Sequence, residues 1–118
     1  MSLPLTRDVL AAAYDYLCTT QPFCDWNLPD SEDVRFRVVK SPLLRGWYCL
    51  GNDGSHTIAI SSRCIGQTDS LMRTMAHEIV HLHQGEVKID SPGSEHNRAF
   101  WKLAEDVCRI HGFDYLLF

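Results

Sequence analysis

The chain has 118 residues, which fits a single domain over residues 1–118 and leaves little for a second. Hydrophobic residues make up 45% and charged residues 22%, ordinary globular usage that excludes a disordered chain. The net charge of −4 argues against a free-standing nucleic-acid binder, which needs lysine and arginine for phosphate contacts.

The opening stretch, MSLPLTRDVLAAAYDYL, has no basic lead and no continuous apolar run, because Arg7 and Asp8 interrupt it. It reads as a helix from about Thr6 to Cys18 rather than as a secretory leader. Thr6 can cap it, Asp8 suits its first turn, and Leu10, Ala13, Tyr14 and Leu17 mark an apolar face. No stretch approaches the ~20 apolar residues of a membrane helix, so a cytoplasmic setting without a membrane partner is expected. The cysteines fit that setting. Cys18, Cys24, Cys49, Cys64 and Cys108 are odd in number and show no Cys-x-x-Cys spacing, so reduced and mostly packed thiols are expected.

Residues 21–33 carry two prolines and several turn formers and read as a loop pinned by Phe23, Trp26 and Leu28. In VRFRVVKS, Val34, Phe36 and Val38 alternate with Arg35 and Arg37, the pattern of a half-buried strand. Arg35, Arg37, Lys40 and Arg45 read as a solvated strand face, with a weak docking patch for an acidic partner as the sharper alternative. SPLLR turns the chain, GWYCLG forms a second strand, and Asn52 to Gly54 make a hairpin turn into a third strand, HTIAIS. A three-stranded antiparallel meander is expected. Two helices follow, one from about Asp69 to Gln84 stopping at Gly85, the other from near Ser94 to His111 stopping at Gly112. The fold class is α+β: an N-terminal helix, a small antiparallel sheet, and two helices packed on it.

The first of these two helices contains HEIVH, residues 77–81. At about 100° per residue His81 falls about 40° from His77, on the same side. Leu71, Met72, Met75, Ile79 and Leu82 gather opposite, so both imidazoles lie off the core stripe. A catalytic zinc has three protein ligands and an open position. His96 supplies the third, in the first turn of the last helix and on the face of Ala99, Phe100, Leu103 and Val107. Glu95 is the rival third ligand, rotated away from that face. His83 packs or faces solvent, and His56 and His111 are ordinary structural histidines. Glu78, beside a ligand but turned away from the metal, is placed to act as general base toward an attacking water and to pass the proton to the leaving nitrogen.

HEIVH together with His96-Asn97-Arg98-Ala99-Phe100-Trp101 resembles the SprT-like zinc metalloproteases and the related WLM group, which carry a helix-opening histidine with Phe or Phe-Trp four residues later. The resemblance extends from about Thr57 to Val107. It implies a minimal zincin-like domain with zinc on two helices. Many members cleave proteins attached to DNA, and several act only when DNA or another partner delivers the substrate, so DNA or a DNA-bound protein enters as a partner by resemblance alone. Asn97 stands where these families usually have glycine.

The leading expectation is a zinc-dependent peptidase acting on a protein or peptide substrate. The strand Ile58 to Ser61 is its candidate substrate-pairing edge, and Tyr48, Arg98 and Tyr115 are candidates for polarising the scissile carbonyl. The alternative is a non-catalytic protein-binding module stapled by zinc, for which a glutamate at position 78 has no purpose. A third reading is an adaptor or inhibitor that mimics a protease fold and acts through the Phe23–Trp26 loop.

Overall fold

A computed structural model of the chain describes residues 5–63, 68–87 and 96–118. Among them stand helices α1 (Arg7–Cys18), α2 (Thr68–Val87) and α3 (Arg98–His111), and strands β1 (Val34–Val39), β2 (Gly46–Leu50) and β3 (His56–Ser61). The architecture is α+β, as the patterning implies.

α1 begins where expected. The Thr6 hydroxyl accepts from the Val9 N–H at 3.1 Å, satisfying one of the donors that a helix start leaves open. Its apolar face is buried through Leu10, Ala13, Tyr14 and Leu17. The loop after it is held as the aromatic residues imply: Phe23 is buried, Trp26 packs edge-on against it at 5.0 Å, and Leu28 packs against the core.

The sheet differs from the expected meander. Its order is β1-β3-β2, with β1 parallel to β3 and β2 antiparallel to it. β3 is therefore the central strand, and the expectation that it offers an exposed substrate-pairing edge is overturned. Alternation of apolar residues reports which face is buried and says nothing of neighbour order. The better clue is the unbroken Ile58-Ala59-Ile60, all fully buried, which suits a strand covered on both faces. β1, with exposed Arg35 and Arg37, and β2, with exposed Cys49 and Leu50, take the edges.

Serines carry the chain across the central strand. Ser41 Oγ accepts from the Leu43 and Leu44 N–H groups at 3.3 and 3.1 Å and sets the turn after β1. The Ser61 hydroxyl donates to the Ser41 carbonyl at 2.6 Å, and the Ser61 N–H donates to the Arg45 carbonyl at 2.8 Å. Residues 40–45 thus arch over the end of β3 and deliver β2 to its far side. The β2–β3 turn forms at Asn52 to Gly54 as expected, with Gly54 at φ 85°, a conformation that favours glycine.

In register, Phe36 lies beside Ile58 and Ile58 beside Tyr48, so one sheet face presents an apolar row to the helices. Leu71, Met75, Ile79 and Leu82 of α2 are buried with them in one core, alongside Phe100, Ala104 and Val107 of α3.

Two helix ends differ from the expected ones. α2 runs past Gly85 to Val87. Gly85 is there for packing: a Cβ would meet the Tyr48 hydroxyl at 2.7 Å. α3 begins at Arg98, capped by Asn97 rather than starting near Ser94, a residue outside the described ones. Its end matches the reading: Gly112 is left-handed at φ 77° and its N–H returns to the Cys108 carbonyl at 2.9 Å.

The thiols are less packed than expected. Cys18, Cys24, Cys49 and Cys108 are all free, but Cys24 and Cys49 are exposed and only Cys108 is buried; Cys64 lies outside the described residues. No helix among the described residues is long and apolar enough to cross a membrane.

Candidate metal centre

α2 places His77 and His81 one turn apart on the side that faces the start of α3. His96 stands two residues before α3, ahead of its cap and exposed, not in the first helical turn facing inward as the apolar spacing implied. It nevertheless joins the other two. The three ring centroids form a nearly equilateral triangle with sides of 5.0, 5.1 and 5.1 Å. One nitrogen from each ring lies within 4.8 Å of the other two, a grouping that can hold a metal ion. Glu95, the rival ligand, lies outside the described residues.

Two observations test whether the donors suit a metal. The first is the spacing of lone pairs. His77 Nε2 and His96 Nε2 are 3.1 Å apart, and two nitrogens each ~2.0–2.1 Å from a tetrahedral zinc are separated by roughly 3.3 Å. The second is the tautomer. His77 Nδ1 lies 2.7 Å from the main-chain oxygen of Phe118. That oxygen can only accept, so the ring proton sits on Nδ1 and the Nε2 lone pair faces the centre of the triangle. Histidine ligands are usually oriented by such an outer hydrogen bond.

Phe100 forms the floor. It is fully buried and its ring lies 4.9, 4.6 and 4.8 Å from those of His77, His81 and His96. This apolar contact takes much of the His77 and His81 rings away from water. Burial pushes His77 down to about 4, with the Phe118 oxygen opposing and His96 assisting, and pushes His81 down to about 3, assisted by both neighbours. Both rings are therefore neutral near pH 7, the protonation state that ligation requires.

Asn97 and Gln84 support the site; the sequence reading noted Asn97 only as a departure from glycine and did not single out Gln84. Asn97 Oδ1 accepts from the Phe100 N–H at 2.9 Å and from Gln84 Nε2 at 3.3 Å, and Gln84 is fully buried. The pair bolts α2 to the start of α3 right beside His96. The departure from glycine at Asn97 was visible; its partner on α2 was not. Phe118 left no sequence signal at all, because a main-chain oxygen is common to every residue.

Glu78 is only 4% exposed, which sets it apart from an ordinary surface glutamate of a helix. It and His77 line a cavity of ≈180 Å³ between α2, the 43–46 segment and Phe118. Of the carbonyl-polarising candidates, the Tyr48 hydroxyl is 2.6 Å from His56 Nδ1, Tyr115 packs against Trp101 at 5.3 Å, and Arg98 is exposed at the start of α3. None of the three lines that cavity. The remaining histidines sit elsewhere: His83 stacks on Trp26 at 4.4 Å, and His111 Nε2 is 3.0 Å from the Thr20 hydroxyl.

No protein-family model matches the chain, and no curated protein sequence matches it. What the centre does must be read from its own geometry.

Proposed function

We propose that the chain is a zincin-like metallopeptidase, with His77, His81 and His96 holding zinc and Glu78 as general base. The observation that carries this reading is the convergence of three imidazoles, with the His77 lone pair turned inward, beside a buried glutamate from the same helix. Zinc bound there supplies Lewis acidity toward a water and toward a peptide carbonyl. The chain's own residues supply the rest. Phe118 and Phe100 fix and desolvate His77. Glu78 takes a proton from the attacking water and returns it to the departing amine, so that the C–N bond breaks as an acid and an amine form. β2 is an edge strand among the described residues, its Gly46 lines the cavity, and an extended substrate can pair along it.

A staple without catalysis would be satisfied by the histidines alone. The burial of Glu78 at the cavity is what favours an enzyme.

The test is metal content followed by activity. The purified chain, reconstituted with zinc and dialysed, is expected to carry one zinc per chain and to cleave an unfolded protein, and a chelator or His96→Ala is expected to remove both properties. A chain that retains no metal after reconstitution would refute the proposal. Zinc retained without any cleavage, with or without DNA added, would leave the staple.

A further inference from the structure

The cavity beside Glu78 has a chemistry that peptide hydrolysis as such does not require. Leu43, Leu44 and Leu117, 88%, 55% and 51% exposed, line it. A single exposed leucine means little. Here three border one opening that also touches the general base. Two arginines, Arg45 and Arg73, line the same space. Arg73 Nε is shielded from water and has no hydrogen-bond partner. A buried donor left unmade is costly.

We infer that this cavity selects the substrate, resting on the hydrolytic reading above: it takes a bulky apolar side chain of a peptide together with a carboxylate no more than one residue away. The leucines and the ring of Phe118 receive the side chain, and the two arginines receive the carboxylate. Arginine is suited to this because its planar fork matches the two carboxylate oxygens. The carboxylate can belong to an acidic neighbour within the chain or to the peptide's own C-terminus.

The experiment uses labelled peptides and the full chain in its zinc-loaded Glu78→Gln form, so that bound peptide is not consumed. One pair contains a central Leu-Glu or Leu-Gln. A second pair ends in leucine as a free acid or as an amide. A third peptide replaces the central leucine by serine. Fluorescence anisotropy is expected to show about tenfold or tighter binding for the acid member of at least one pair, the scale of a charged hydrogen bond. Which pair responds identifies the source of the carboxylate. Adding Arg45→Gln and Arg73→Gln should erase the acid preference and leave leucine favoured over serine; Leu44→Ser should weaken the latter. Equal binding of both acid and amide pairs would overturn the inference, as would an acid preference that survives loss of both arginines. Circular dichroism and zinc content of each variant separate these outcomes from misfolding. Failure of the wild-type chain to cleave any peptide would count against hydrolysis alone, whereas cleavage without acid preference would count against the pocket alone.

Discussion

At His77 a main-chain oxygen 41 positions away takes one ring nitrogen and leaves the other facing His81 and His96. The role proposed for Glu78 next to it is one that a substitution can isolate. Glu78→Gln keeps size and hydrogen bonding but removes the base. Zinc content should stay at the wild-type level while peptide cleavage falls by ~100-fold or more, the usual scale for general-base loss. Elemental analysis and a progress curve on one unfolded protein check both halves, and undiminished cleavage by the variant would exclude the role. At this scale the sequence was legible where chemistry depends on spacing along one helix. His77, Glu78 and His81 need only a 3.6-residue period to be placed. His96 was found from its distance to Phe100, but its position before the helix rather than in it was not, because Asn97 and not Ser94 caps α3. Arg45 is exposed, as the charge run implied, but the turn at Ser41 takes it off the strand and to the cavity.

Elements are positioned here by a few close approaches. Gly85 lies inside α2, where alanine would ordinarily favour the helix by about 1 kcal/mol. Its Cβ would stand 2.7 Å from the Tyr48 hydroxyl and 3.3 Å from the ring. Gly85→Ala should therefore destabilise the wild-type chain by about 1–2 kcal/mol, the scale of mild overpacking. In a Tyr48→Phe background the nearest clash is gone, and the same change should become neutral or stabilising. Urea unfolding of the four proteins measures the coupling; equal effects in both backgrounds would show that Tyr48 is not the obstacle. Asn97 makes a second joint. Asn97→Ala removes the α3 cap and the bond from Gln84, and should cost about 1 kcal/mol. Because the joint adjoins His96, zinc affinity measured by chelator competition should weaken as well, and unchanged affinity would make the cap purely structural. Glycine after a run of helix formers was read as a stop because the sequence shows no tyrosine approaching from a strand. Likewise the strand pattern located all three strands and the buried face of β1, while the mixed order rests on serine hydrogen bonds in the 40–45 arch that no periodicity records.

For the whole molecule, the centre ties α2, the start of α3 and the C-terminal turn together, so its protonation should govern stability. In the metal-free chain, burial holds His77 at about 4 and His81 at about 3, whereas an unfolded histidine titrates near ~6.5. Between these values the unfolded chain binds more protons than the folded one. Stability therefore rises with pH through that window and is lost as pH falls from ~6.5 toward 4. His83, also lowered by burial, adds in the same direction. Asp53, lowered by its bonds to Ser55, starts from 3.8 and acts below the window. Melting temperatures measured in chelator should thus fall steadily between pH 7 and pH 5. Zinc binds the folded arrangement, so it should raise the melting temperature at pH 7 in proportion to the logarithm of its concentration above the dissociation constant. That gain should shrink toward pH 5, because a protonated imidazole cannot be a ligand. Replacing His81 by glutamine, a neutral amide of similar reach, should reduce the metal-free pH dependence to the share of His77 and His83 and remove most of the zinc-induced rise. A metal-free melting temperature that holds constant from pH 7 to pH 5 would mean that the imidazoles are not buried against Phe100 in solution, and the geometry that supports the centre would fail with it.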